Sequence, residues 1–274
     1  MPTKKTVVIL DGQQLADQIK LEIRNKIITN QIHPGLAVIL IGDNPASTMY
    51  VRLKQKAAEA VGINFNKYIC NQDGYPDADE KQVLEMIKFL NNDPKVHGII
   101  VQLPLPKDFD TQKIINAIDP KKDVDGFHPK NKNNKIIPPT VDAILELLKS
   151  TGENLINKST LIIGHSDIFI FGLKKHLQTK LKIKNIKNSQ PIPADSHTFD
   201  IIIMALGQPL ALKKSMVKTG AIVIDVGINK LDGQTVGDVD SQVSQIAGHL
   251  SPVPGGVGPL TVACLMRNVY LLAE

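Results

Sequence analysis

The stretch LAVILIGDNPASTMYVRLKQKAAEAVGI, Leu36 to Ile63, decides the fold class. Its first six residues are an apolar, β-rich run that reads as a strand. In the segment that follows, Asn44 is placed to cap a helix, Pro45 suits a first helical turn and Gly62 stands where the helix would end. The spacing therefore predicts a helix over Ser47 to Ala60 directly after the strand. The same alternation continues on both sides. Thr6 to Leu10 and Gly98 to Leu103 are strand-like, while Gln13 to Ile28 and Asp79 to Leu90 are helix-like. This order predicts βαβ units and a mostly parallel sheet in an α/β protein.

After Lys130 the composition shifts to KNKNNKIIPP, a polar connector ended by prolines, which suits a domain boundary or hinge. Beyond it Thr140 is a candidate cap for the helix VDAILELLKS, and the pattern restarts. Ser159 to Ile163, Phe199 to Ala205 and Gly220 to Val226 are apolar runs ending in Gly-containing turns, which predicts a second α/β unit. No repeat of fixed period is present, and Lys180 to Asn188 reads as a surface excursion.

The chain of 274 residues is 42% hydrophobic and 22% charged, enough to bury a substantial core in one large domain or two small ones. The opening MPTKKTVVILDG is cut by Asp11 and carries no cleavage site, and the longest uncharged stretch contains SPVPGGVGP, so neither a signal peptide nor a membrane span is expected. A cytoplasmic location follows as the default expectation. Cys70 and Cys264 show no metal-ligand or disulfide spacing, and neither His128 nor His249 has a partner at ligand spacing, so no metal site is expected. The net charge of +5 stands without any nucleic-acid-binding motif, and scattered lysines on a solvated surface account for it.

Four segments carry candidate chemistry. Tyr50 and Lys54 stand four apart, so a helix would set them on one face about a turn from each other. By spacing alone the commoner reading is a solvated lysine beside a half-buried tyrosine. In GIIVQLPLP, Gln102 interrupts an apolar strand between Val101 and Leu103, where α/β sheets place their ligands; a satisfied strand-end amide is the plainer reading. KDVDGFHP offers Asp123 and Asp125 beside Gly126, and turn formation would explain one of the two acids without any function. SPVPGGVGPLT packs Pro252, Pro254, Gly255, Gly256, Gly258 and Pro259 before an apolar helix for which Thr261 is a candidate cap.

Taken together, AS-x-x-YV-x-x-K, VQLPLP, KDVDGFHP and PVPGGVGPLT resemble the methylenetetrahydrofolate dehydrogenase/cyclohydrolase family, from near Asp11 onward and in the family's order. The resemblance implies two α/β domains flanking a cleft, the second a Rossmann-type nicotinamide-binding domain, in a homodimer. The boundaries expected are 1–135 for a folate-binding catalytic domain completed by a C-terminal helix over 258–274, and 136–257 for the Rossmann domain. It implies oxidation of 5,10-methylenetetrahydrofolate with NADP or NAD, then hydrolysis of the methenyl product to 10-formyltetrahydrofolate in one-carbon metabolism. By the same resemblance Lys54 is the catalytic lysine, Gln102 its hydrogen-bond partner, Tyr50 the ring that packs on the aminobenzoyl group, and Asp125 the pterin-binding acid. Val101, Leu103, Asp123, Pro254, Gly255 and Gly256 would complete the folate contacts.

The nicotinamide half departs from the family's pattern. Where the family reads G-R-S-x-I-V-G-x-P, this chain has Gly164-His165-Ser166-Asp167-Ile168-Phe169-Ile170-Phe171-Gly172. Gly164, Ser166 and Ile168 persist, with Gly207 and Ile228 further on, as the candidate cofactor residues. His165 replaces an arginine that would meet the NADP 2′-phosphate, and Ile170 places a side chain where bare backbone would approach a pyrophosphate. Three outcomes stand open: NADP held by weaker phosphate contacts, NAD used instead, or a cyclohydrolase without dehydrogenase activity. A folate-binding protein without chemistry is the remaining alternative, against which the Tyr50, Lys54 and Gln102 set argues.

Overall fold

The elements run in the order β1 (Val8–Ile9), α1 (Gly12–Asn30), β2 (Gly35–Ile41), α2 (Pro45–Val61), β3 (Asn64–Cys70), α3 (Glu80–Asn92), β4 (Gly98–Val101), α4 (Thr111–Ala117), α5 (Pro139–Ser150), β5 (Thr160–Gly164), α6 (Asp167–His176), β6 (Asn185–Ile186), β7 (Ile201–Ala205), β8 (Ile222–Asp225), β9 (Asn229–Leu231), β10 (Gln234–Val236), β11 (His249–Leu250) and α7 (Val257–Ala273). They come from a computed structural model that describes residues 6–133, 136–164, 166–177, 185–186 and 191–274. The chain divides into two compact units, one formed by Asp17–Pro139 with Val262–Glu274, the other by residues up to Ala16 with Thr140–Thr261. It passes from one to the other inside α1, between Pro139 and Thr140, and inside α7.

The unit that holds Lys54 is built on a three-stranded parallel sheet of order β3-β2-β4. All seven residues of the central strand β2 are buried, as a strand covered on both faces requires. Ala37, Ile39 and Ile41 share a core with Ile99 and Val101 of β4, with Val83, Ile87 and Leu90 of α3 and with Ile114 of α4. Helix α2 forms where its signals place it. The Asn44 side chain accepts from the Ala46 and Ser47 N–H groups, Pro45 occupies the first turn, and Gly62 takes the left-handed φ of 86° that ends it. Because β2 leads to β3 on one side and the chain then returns to β4 on the other, the strand order reverses at β2, and the carboxyl ends of β2 and β4 are where an α/β sheet places its ligands.

The other unit carries a six-stranded parallel sheet of order β1-β11-β8-β7-β5-β6. Its core joins Leu161 and Ile163 of β5, Ile202 and Met204 of β7, Val223 of β8 and Leu250 of β11. From β5 the chain goes first to β6 and then back past β5 to β7, so the reversal lies between β5 and β7, and Gly164 faces Ala205 as the last pair at their carboxyl ends. Here α5 starts at Pro139, so Thr140 lies inside its first turn rather than capping it. Thr261 likewise lies inside α7 and donates to the Val257 carbonyl at 2.9 Å. Among the described residues no helix is long and apolar enough to cross a membrane, and both cysteines are free thiols in buried positions.

Candidate active site

In the Lys54 unit the site is assembled at the end of β4. The Gln102 N–H donates to the Ile39 carbonyl at 2.9 Å and so extends the β2–β4 ladder one residue past the strand. Its side-chain Nε2 donates to the Leu103 carbonyl at 2.7 Å, which leaves Oε1 as the free acceptor of the amide. Lys54 Nζ donates to that Oε1 at 2.9 Å. Gln102 thus serves as a fixed acceptor and holds the lysine without taking its charge. Val101 is buried at the strand end, and Tyr50 stands one turn before Lys54 on α2, half-buried, with burial raising its phenol.

Asp125 reaches the same place by another route. Residues 122–124 run beside β4, with the Ile99 N–H donating to the Lys122 carbonyl at 2.8 Å and Ile99 bridged in parallel to Asp123. Asp125 lies two residues beyond Asp123 and comes close enough to Lys54 for the two charges to act on each other. The Asp123 carboxylate is 2% exposed and accepts from the Gly126 N–H at 3.1 Å, the His128 N–H at 2.8 Å and Asn131 Nδ2 at 2.6 Å. Its oxygens shape the turn that presents Asp125. His128 is part of that turn, since its Nδ1 accepts from the Lys130 N–H.

The electrostatics of the pair follow from burial. Desolvation pulls the Lys54 ammonium below the ordinary lysine value, and the Asp125 charge opposes that shift. Burial pushes the Asp125 carboxyl up to about 6, with Lys54 drawing it down and Asp123 pushing it further up. The outcome is an amine and a carboxyl that both exchange protons nearer to neutrality than free side chains do, beside the end of β4. Such a group suits proton transfer to and from a bound heterocycle.

The six-stranded unit holds the remaining predicted residues. Pro254, Gly255 and Gly256 form a loop pinned from within that unit: the Gln13 N–H donates to the Gly255 carbonyl at 3.0 Å, and a Cβ on Gly12 would stand 1.9 Å from the Gly256 carbonyl oxygen. Gly255 has φ +103°, so its own glycine is a backbone requirement. At the β5–β7 reversal, Ser166 caps α6, its hydroxyl accepting from the Phe169 N–H at 3.3 Å. Gly164 ends β5 where a Cβ would stand 3.3 Å from the Phe169 ring, and Gly207, at φ +68°, has open space where a Cβ would stand. Ile228 is 49% exposed just beyond β8. A strand end, a capped helix start and a bare glycine around one reversal point fit a dinucleotide.

The expectation for Ile170 is corrected. Its side chain is 2% exposed and turned into the interior, so it adds no bulk at a phosphate position. His165 and the side chain of Ile168 lie outside the described residues. One feature escapes sequence reasoning: Asp225 and Asp238, both buried, accept hydrogen bonds from the main chain of 206–208, 227 and 238–239. Gly227 and Gly237 are the only hints, since a Cβ on either would enter one of these carboxylates.

Comparison with known proteins places both units. Residues 10–125 match the catalytic-domain model of tetrahydrofolate dehydrogenase/cyclohydrolase, and residues 138–274 match the NAD(P)-binding domain model of the same enzymes. The bifunctional protein FolD of Nautilia profundicola is 40% identical over 282 residues, covering 98% of each chain. The crystal structure of the bifunctional FolD enzyme of Campylobacter jejuni superposes with a TM-score of 0.90 at 39% identity, over 97% of this chain and 98% of that one. The Trypanosoma brucei enzyme, solved with NADP and an inhibitor, gives 0.85 at 30% identity, over 99% and 98%. The chain belongs to the tetrahydrofolate dehydrogenase/cyclohydrolase family, with its catalytic and NAD(P)-binding domains both present.

Proposed function

We propose that this enzyme oxidises 5,10-methylenetetrahydrofolate to the 5,10-methenyl cation and hydrolyses that cation to 10-formyltetrahydrofolate, with Lys54 as the acid/base of the second step. The observation that carries the reading is the 2.9 Å hydrogen bond from Lys54 Nζ to Gln102 Oε1, beside Asp125. In the first step the bridge carbon loses a hydride; the bound oxidised nicotinamide supplies the two-electron acceptor. Gly164, Ser166, Ile168, Gly207 and Ile228, with His165, are the residues assigned to hold it.

Hydrolysis then needs only this chain's own groups. Water adds to the methenyl carbon, and the neutral Lys54 amine takes the proton that water loses. The carbon–N5 bond breaks as N5 gains a proton from the lysinium, while the hydroxyl proton leaves and its oxygen becomes the formyl carbonyl. One proton is released overall, as conversion of a cation and water to a neutral formamide requires. Asp125 carries the pterin; Asp123, expected at the folate as well, spends its carboxylate on the Gly126 and His128 N–H groups and on Asn131, and its part is to shape the turn that bears Asp125. The Tyr50 ring packs on the aminobenzoyl group, Val101 and Leu103 flank Gln102 along the folate, and Pro254, Gly255 and Gly256 complete its contacts.

We assign folate binding to the unit of Asp17–Pro139 with Val262–Glu274 and nicotinamide binding to the unit of residues up to Ala16 with Thr140–Thr261, in place of the bounds 1–135 with 258–274 and 136–257 that the resemblance implies, in a cytoplasmic homodimer. The deciding experiment supplies the purified protein with methylenetetrahydrofolate and either NADP or NAD and follows reduced nicotinamide and 10-formyl product together. Formation of both supports the bifunctional reading. Hydrolysis of added methenyl substrate without any nicotinamide reduction would leave a cyclohydrolase alone.

A further inference from the structure

The loop after β7 is held from behind by one carboxylate. Asp238, with 0% of its surface exposed, takes the N–H groups of Leu206 at 2.6 Å and Gly207 at 3.0 Å on Oδ2. Its Oδ1 takes the Gln208 N–H at 2.8 Å and Asn229 Nδ2 at 2.9 Å. Three consecutive main-chain donors therefore converge on a single buried anion, an arrangement that an unassisted turn does not give. The same carboxylate ties this loop to Asn229, at the start of β9 just beyond Ile228.

Asp238 is itself fixed by a second acid. Asp225, at the end of β8, accepts from the Asp238 N–H at 3.0 Å, the Gly227 N–H at 3.0 Å and the Val239 N–H at 3.0 Å, while the Ser251 hydroxyl oxygen accepts the Asp225 N–H at 2.7 Å. The two glycines show how tightly this is packed. A Cβ on Gly227 would lie 2.2 Å from the Asp238 carboxyl carbon, and one on Gly237 1.8 Å from Asp225 Oδ2. β7, β8 and the segment leading into β11 are thus laced together at their carboxyl ends, where the reversal at β5 and β7 makes a ligand crevice.

We propose that Asp238 is a positioning residue for the nicotinamide dinucleotide: it fixes the 206–208 loop so that Gly207 holds its left-handed backbone with the bare Cα turned to open space. With their N–H groups spent on Asp238, residues 206–208 offer a dinucleotide carbonyls and a bare Cα rather than amide donors. Its phosphates are left to the capped start of α6. The inference rests on the dinucleotide reading of this unit given under Proposed function.

The test uses the full-length protein. Asp238→Asn keeps the side chain's shape but replaces one acceptor oxygen with a donor, so half of the four hydrogen bonds are lost. Binding of NADP and of NAD is measured by titration calorimetry, amide hydrogen exchange is read at Leu206, Gly207 and Gln208, and methenyl hydrolysis reports on the fold. The expected result is dinucleotide binding weakened at least roughly tenfold, about 1.4 kcal/mol. Exchange at the three amides accelerates, and the KM for folate does not move. A folded Asp238→Asn protein that binds as the unaltered protein does overturns the inference. Should that variant fail to fold, Gly207→Ala decides: it meets no atom but forces an L residue to φ +68°, and undiminished binding overturns the inference as well. Failure of the unaltered protein to bind either dinucleotide overturns the reading beneath it instead.

Discussion

Lys54 Nζ and Gln102 Oε1 meet at 2.9 Å across 48 residues of sequence, joining the third turn of a helix to the end of a strand. Replacing Lys54 with Met removes the amine that takes the proton from water, and hydrolysis of the methenyl substrate should fall by roughly 10² to 10⁴. Gln102→Leu keeps the amine and removes its anchor, so the loss should be no more than about tenfold, the worth of one neutral hydrogen bond. Single-turnover hydrolysis separates the two. Equal losses would show that the lysine works only while Gln102 holds it, against the smaller loss expected here.

The pH dependence of hydrolysis follows from the signs at Lys54. The neutral amine is the working base, so the rate rises with pH through the lowered Lys54 pKa and then levels. Asp125 holds that pKa up against burial. Asp125→Asn should therefore move the rising limb to lower pH, even as weaker pterin binding raises KM. A limb that stays in place, or moves to higher pH, would contradict the arrangement.

Helix α2 owes its start to one side chain. Asn44→Ala leaves the Ala46 and Ser47 N–H groups without their acceptor and should cost about 1 kcal/mol, read as a lower urea midpoint at unchanged slope. Asn44→Asp should restore most of it, since a carboxylate caps as well and favours the helix dipole.

Acid stability has a traceable source at Asp200. The Lys218 ammonium at 2.6 Å and the Ser159 N–H and hydroxyl at 2.9 Å hold its carboxyl down at about 2 against burial. A depressed folded pKa contributes stability above the ordinary carboxylate range and loses it as pH falls toward 2. Lys218→Met should be destabilised at neutral pH by less than about 1 kcal/mol, because both side chains are partly exposed. The gap to the unaltered protein should close as pH falls toward 2, in denaturant titrations across that range.

Cofactor preference should respond to residue 165. His165→Arg supplies a permanent, forked donor for a 2′-phosphate and should lower the KM for NADP, by about tenfold for a charge-assisted contact, while leaving that for NAD nearly unchanged. Steady-state rates with each dinucleotide give the ratio directly. An equal change for both would remove residue 165 from phosphate selection.

Much of the fold and of the site is legible in the order of residues. Asn44, Pro45 and Gly62 each have a local conformational job, so the helix between them, and with it the shared face of Tyr50 and Lys54, can be read from neighbours along the chain. The proximity of Gln102 depends on β4 pairing with β2, and the sequence suggests it only through the position of a polar residue at a strand end. What is not legible has non-local causes. Strand β3, NFNKYIC, mixes polar and apolar residues without clean alternation and is defined by its pairing with β2. Thr140 and Thr261 have the chemistry of caps, yet their helices begin earlier, at Pro139 and Val257. The Asp225 and Asp238 network joins the loop after β7, the end of β8, the start of β9 and residues 238–239, and no spacing rule foretells which buried acid will collect which amides.

Val8 and Ile9 pair with His249 and Leu250, and the Lys54 unit is completed by α7, whose Asn268 donates to the Val124 and Ile137 carbonyls. On the ribosome, then, neither unit can close until translation has passed residue 250, and β1 waits for β11. Nascent chains will hold an unpaired sheet edge and an uncovered apolar face through most of their synthesis, the state that holdase chaperones recognise. An enzyme threaded in this way matures late, and a chain cut short inside α7 would lack the helix that completes the Lys54 unit.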